Sequence, residues 1–206
     1  MIIFMRHGDD DHNNNDKDKG HRHDQGLTFK GVEEAKRLAS YLVSKFGEPD
    51  VIYCGPFLRT IETLRAMKKI VKKDTRAIVD NDLSRYFSSS EKKDPSIHKD
   101  TMKRKVPITE NWSHFKKRVH RHIRHMREHG HVEDNKIVWV ITHALVLKII
   151  SKYFNVKLPP HFNFLEWFLI RSTNDENKDS SNNIFKKASS SHKAKRNKVK
   201  RKIKNI

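Results

Sequence analysis

Met1-Ile2-Ile3-Phe4-Met5-Arg6-His7-Gly8 is the stretch that decides how the rest of the chain is read. Five apolar residues in succession match a β-strand covered on both faces, as in the middle of a parallel sheet. The run stops at two cationic side chains and a glycine. In open α/β sheets, functional groups gather just past the carboxyl ends of the strands. The composition then changes: residues 9–24 are mostly Asp, Asn, His and Lys, which predicts a surface loop. The apolar run at the start is too short for a secretory signal. The other apolar runs are strand-sized, so no membrane span is expected.

Working outward, the periodicity alternates between strand and helix. Thr28 is a plausible N-cap, and Val32, Ala35, Leu38, Ala39, Leu42 and Phe46 recur at the helical period. Gly47 and Pro49 end that helix. Residues 50–54 form a second short strand. Pro56 suits the first position of another helix, with Leu58, Ile61, Leu64, Ala66 and Val71 as its apolar positions. Residues 77–79 suit a third strand. Residues 84–110, rich in Ser, Lys and Asp, predict a loop or lid with a short helix. Residues 111–128 form a helix with Phe115, Val119, Ile123 and Met126 on one face. A buried strand at 136–142, a helix at 144–154 and an aromatic-rich strand at 162–170 complete the pattern. Trp112, Trp139 and Trp167 are expected in the core. Strands alternating with helices predict an α/β fold, a three-layer αβα sandwich with a mostly parallel sheet.

The chain has 206 residues and a formal net charge of +19. Residues 172–206 hold 11 Lys or Arg against 3 Asp or Glu, a net +8, which leaves +11 on residues 1–171. The expected organisation is one domain over 1–171 and a basic, disordered tail over 172–206, too poor in apolar residues to offset its ordering entropy. A positive field favours anionic partners, such as phosphorylated metabolites or nucleic acid. The runs at 193–196 and 198–202 suit a nuclear address or a nucleic-acid patch, and equally a solubilising tail. Cys54 is the single cysteine, so no intramolecular disulfide can form. The expected setting is intracellular, cytoplasmic with a nuclear location open through the tail.

Three strands deliver polar groups to the same end of the expected sheet. The first brings Arg6 and His7, the second leads into a helix whose first turn carries Arg59, and the strand at 136–142 ends in Thr142 and His143. Forked guanidinium donors match phosphate oxygens, and helix N-termini add N–H groups and a favourable dipole. A histidine among them is a nucleophile toward phosphorus. Charge on the equatorial oxygens would be stabilised by the remaining groups.

These motifs resemble the histidine phosphatase superfamily, which includes the cofactor-dependent phosphoglycerate mutases. Phe4-Met5-Arg6-His7-Gly8 resembles its signature. Gly26-Leu27-Thr28-Phe29-Lys30-Gly31 resembles its LTxxG element, Gly55-Pro56 through Arg59 to Thr63 its SPxxRxxxT element, and Val140-Ile141-Thr142-His143 its strand ending in Gly-His. The resemblance covers about residues 1–170 and implies a phosphoglycerate mutase-like fold. It implies that His7 becomes phosphohistidine, that Arg6, Arg59 and His143 hold the phosphate with Arg85 and Ala144 lining the substrate site, and that no metal or cofactor takes part. The short insertions leave little lid, which favours a phosphatase over a mutase.

Gly55 stands where Ser is usual, and Thr142 where Gly is usual. An alkoxide leaves poorly unless protonated, and the family supplies a carboxylic acid. One branch has it after a Leu past the third strand, where this chain has Leu83-Ser84-Arg85; another has it after the second histidine, where this chain has Ala144. Glu91, Asp82 and Asp9 are the candidate substitutes. The alternative function is a catalytically weak or inactive phosphate-binding module that recruits nucleic acid or a phosphorylated partner through its tail. His122, His125 and His129 fall near one helix face, yet a solvated basic helix accounts for them better than a metal site. The acidic stretch 9–18 lacks the Gly and Glu of a calcium loop.

Overall fold

The computed structural model describes residues 1–10, 23–72, 74–106, 108–128, 136–171 and 184–186. Among the described residues six strands form one sheet: β1 Ile2–Arg6, β2 Val51–Cys54, β3 Arg76–Val79, β4 Val138–Thr142, β5 Trp167–Ile170 and β6 Ile184–Lys186. Their order is β3-β2-β4-β1-β5-β6. Pairing is parallel from β3 through β1, while β5 and β6 run antiparallel at one edge. The helices are α1 Phe29–Phe46, α2 Leu58–Lys68, α3 Pro95–Arg104, α4 Trp112–Glu128 and α5 Ala144–Tyr153.

The pleat sorts the apolar residues into two cores. Ile2 and Phe4 of β1 share one face with Val138 and Val140 of β4, packed against Phe115, Val119 and Ile123 of α4 and Val146, Leu147 and Ile150 of α5. Ile3 and Met5 share the other with Trp139 and Ile141, packed against Ala35, Leu38 and Leu42 of α1 and Leu64 and Met67 of α2. Apolar residues on both pleat faces demand cover on both sides, which makes three layers. A small third cluster, Phe57, Phe87, Ile97 and Val106, packs α3 close to the strand ends.

The start of α1 is made as its residues predict: the Thr28 hydroxyl accepts the Gly31 N–H at 2.9 Å. Other boundaries moved. Pro56 precedes α2, which begins at Leu58, and the buried residues of α2 include Arg59, Thr60 and Thr63, not only apolar ones. The last strand of the domain starts at Trp167 rather than at 162; before it the chain turns, with Leu165 in the left-handed region at φ 56°. Trp139 and Trp167 are buried, but Trp112 is 43% exposed, its ring lying against Tyr86 and Phe115 at the surface. Residues 184–186, inside the segment read as tail, pair with β5. The rest of the tail and most of the acidic loop lie outside the described residues. No helix among the described residues is long and apolar enough to cross a membrane.

Candidate active site

β2, β4 and β1 are neighbours, so their carboxyl ends form one ledge. β1 ends at Arg6, and the next residue, His7, is anchored by its backbone N–H to the Thr142 carbonyl at 3.0 Å. His7 is 3% exposed. Its Nδ1 lies 2.9 Å from the Gly8 carbonyl oxygen. A carbonyl oxygen can only accept, so Nδ1 carries a proton, and in the neutral imidazole the lone pair sits on Nε2. The Gly8 N–H donates to Thr63 Oγ1 at 2.9 Å, and that hydroxyl donates to the Arg59 carbonyl at 2.7 Å. Thr63 therefore ties the His7–Gly8 loop to α2.

Gly31 makes this approach sterically possible. A Cβ there would lie 2.3 Å from the Asp9 carbonyl oxygen, so only glycine lets residues 8–10 lie across the start of α1. The Thr28 N–H donates to the same carbonyl at 2.9 Å.

Four further groups surround His7. Arg6 donates to the Phe162 carbonyl at 2.6 Å and lies 4.1 Å from the centre of the Phe164 ring. Arg59, 3% exposed, donates to the His23 carbonyl at 3.3 Å. Burial lowers its pKa to about 10, partly opposed by Asp10 and lowered further by Arg85. His143 caps the chain's entry into α5, with its ring centre 5.2 Å from that of His7 and 5.6 Å from Phe57. Its Nε2 is buried with no hydrogen-bond partner among the described residues. Burial pushes its pKa well below the usual value, and the charges of Arg59, His7, Arg85 and Arg6 push the same way. The His143 side chain makes no cap bond to α5, which leaves the first N–H groups of that helix without a cap among the described residues. Ala144, the first residue of α5, contributes no polar side chain but leaves that N-terminus open. By contrast, the start of α2 is occupied: Asp24 accepts the Leu58 N–H at 2.5 Å and pairs with Arg104 at 2.7 Å.

Arg85 joins the group from the segment after β3. It pairs with Glu91 at 2.7 Å and lies 4.4 Å from the Phe87 ring centre. Its charge acts on both Arg59 and His143. The segment is fixed from two sides. Buried Arg118 of α4 donates to the carbonyls of Asp82, Ser84 and Arg85 and is neutralised by Glu110. On the sheet side, Thr142 Oγ1 donates to the Leu83 carbonyl at 2.7 Å, and a Cβ at Gly55 would lie 2.9 Å from that same oxygen. The two departures from the family pattern at 55 and 142 thus meet at one carbonyl.

The three carboxylates weighed from the sequence are placed differently from one another. Glu91 accepts from Ser88 and Arg85; burial raises its pKa, but those partners outweigh it and hold the carboxyl below its usual range. Asp82 is turned away, paired with Arg121 beside a separate cavity of about 430 Å³ lined also by Tyr53, Asp80 and His125. Asp9 accepts from the Thr28 hydroxyl at 3.2 Å and acts electrostatically on Arg6. Asp10 was not singled out from the sequence. Its Oδ2 is 3.5 Å from Arg59 Nε, and its side chain is 0% exposed. Within a run of consecutive aspartates, nothing in composition distinguishes the inward one. His122 is bonded to Asp80 at 2.6 Å, and no metal-holding cluster of three or more His, Cys, Asp or Glu occurs among the described residues. His129 lies outside them.

The fold and ledge define an α/β protein with a cationic, histidine-bearing pocket at its strand ends. Residues 2–167 match the sequence model of the histidine phosphatase superfamily (branch 1), and the chain belongs to that family. The protein histidine phosphatase SixA, solved with tungstate, is 19% identical at a TM-score of 0.55, over 90% of this chain and 93% of that one. YhfR of Bacillus stearothermophilus is 18% identical at 0.58, over 89% and 94%. A phosphoglycerate mutase from Bacillus anthracis is 18% identical at 0.56, over 83% and 88%. The fold is therefore phosphoglycerate mutase-like. No curated protein matches the sequence.

Proposed function

We propose that the protein is a phosphatase that hydrolyses phosphate monoesters through a phosphohistidine intermediate on His7. The observation that carries this reading is the His7 Nδ1 to Gly8 carbonyl hydrogen bond, which puts the lone pair of the neutral imidazole on Nε2, beside His143 and the charges of Arg6, Arg59 and Arg85 that act on it. Membership of the superfamily supports the same chemistry. Nε2 attacks phosphorus, and the three guanidiniums with the α5 N–H groups stabilise the equatorial oxygens. His143 is neutral in the empty pocket, and a bound phosphate dianion draws a proton onto it. Water then attacks the phosphohistidine. The substrate class is a phosphorylated small molecule or a phosphoprotein.

The second reading, a phosphate-binding module with weak or no turnover, is favoured by Leu83-Ser84-Arg85 and Ala144, which hold no acid where the family resemblance implies one. Its polyanion-binding arm is the tail, 172–206. The exposed side chains Lys116, Lys117 and Arg124 of α4 have no ion pair with another described residue and extend the basic surface to the domain.

Phosphate release from an activated aryl phosphate separates the two, because an aryl oxide leaves without protonation. Release by the wild type that vanishes in His7→Ala is expected. No release from either, with inorganic phosphate still bound, would establish the binding module instead.

A further inference from the structure

The pocket contains a carboxylate in an unusual place for an anion site. Asp10 is fully enclosed, 3.5 Å from Arg59, and its negative charge also acts on Arg6. Its backbone is held by an isolated bridge to Leu27 and by the neighbouring Asp9 carbonyl, which accepts the Thr28 N–H. The side chain is thus aimed by a fixed loop at the guanidiniums that hold phosphate. The neighbouring carboxylates have their own partners: Asp24 has Arg104 and the Leu58 N–H, Glu91 has Arg85 and Ser88, Glu166 has Asn163, and Asp9 has the Thr28 hydroxyl.

A carboxylate and a phosphate dianion that share the same arginines cannot both stay ionised without large repulsion. When phosphate takes over Arg59 and Arg6, the carboxyl accepts a proton. We propose that Asp10 is the proton donor for the leaving group in this site. The inference rests on the phosphohistidine reading above. As the His7 Nε2 to phosphorus bond forms and the phosphorus to ester-oxygen bond breaks, the leaving oxygen keeps that electron pair and takes the Asp10 proton. Asp10 is left as a carboxylate. In the second step it accepts a proton from water, whose oxygen bonds to phosphorus as the phosphorus to Nε2 bond breaks and the electron pair returns to His7. Each cycle restores both groups. This supplies the acid that neither Arg85 nor Ala144 can provide.

The test compares wild type and Asp10→Asn across phosphate monoesters of graded leaving-group basicity, together with the Kd for inorganic phosphate. Removing a general acid costs about 10²- to 10⁴-fold. Asp10→Asn should approach that loss on alkyl esters and lose far less on activated aryl esters, so its rate falls more steeply with leaving-group basicity. It should also bind inorganic phosphate several-fold more tightly, since a competing charge is gone; this readout confirms a folded pocket independently of turnover. An equal loss on every ester, or no loss at all, would overturn the assignment of Asp10, as would unchanged phosphate affinity. If wild type releases nothing even from the aryl ester, the phosphohistidine reading itself has failed.

Discussion

The carbonyl of Leu83 gives residues 55 and 142 a shared explanation. Gly55 leaves room for it and Thr142 donates a hydrogen bond to it, so the pair holds the segment that delivers Arg85. Gly55→Ser should cost about 1–3 kcal/mol by overpacking, measured by urea denaturation. Thr142→Gly should cost about 1–2 kcal/mol from the lost hydrogen bond and added chain freedom. The double variant should be less damaged than the sum, by more than about 0.5 kcal/mol, because Leu83 can then withdraw; strict additivity would show that the two sites are independent. His143 sets a pH dependence at the same scale. Its folded pKa lies below the unfolded value, so the unfolded chain takes up the proton first as pH falls. The contribution is therefore intact above about pH 6.5 and is lost below it, at up to about 1.4 kcal/mol per pH unit. Melting temperatures from pH 7.5 to 5 should fall less steeply in His143→Gln than in wild type, and inorganic phosphate should offset the wild-type loss by binding the folded state. Identical slopes would contradict this. The site histidines and Arg6 and Arg59 were legible because each follows an apolar run or opens a helix. Asp10 was not, since its burial depends on Gly31 and Thr28 holding its loop from a distance.

At the scale of elements, α4 works as a clamp as well as a core helix. Its apolar face was plain from Phe115, Val119, Ile123 and Met126. Its polar work was hidden, because a lone Arg or His in a basic helix reads as solvated. Arg118 is buried, paired with Glu110 and bonded to three carbonyls of the Arg85 segment, and His122 holds Asp80 at the start of that segment. Arg118→Met should cost about 3–5 kcal/mol, since it strands a buried Glu110, and should raise KM through disorder at Arg85. Arg118→Met with Glu110→Leu should recover much of the stability but not the KM; recovery of both would show that the clamp does not position Arg85. The same long-range bonds explain why 84–110 resisted a reading by periodicity: Lys92 donates to the Glu110 carbonyl, and the apolar residues that order α3 are spread from Phe57 to Val106. The turn before β5 was also opaque, because its form depends on Arg6 and His7 rather than on local pattern: Arg6 donates to the Phe162 carbonyl, and the Leu165 N–H to the His7 carbonyl.

Across the whole molecule, one ledge formed by β2, β4 and β1 gathers side chains that lie more than a hundred residues apart in sequence, within a chain of net charge +19. Under the proposed function that field would draw an anionic substrate toward the pocket, so KM should rise with ionic strength more than kcat changes. A KM flat from low to physiological salt would remove any steering role for the charge. The α/β layering followed from the alternation of apolar runs and helical periods, and it holds on both faces of the sheet. The central claim concerns His7, and its most direct measurement is rapid chemical quench of the enzyme with a phosphorus-labelled aryl phosphate, followed by mapping of the label. The account predicts an acid-labile, alkali-stable phosphoryl group on His7 that forms within one turnover and is absent from His7→Ala. Turnover with no labelled histidine, or with the label on another residue, would contradict it.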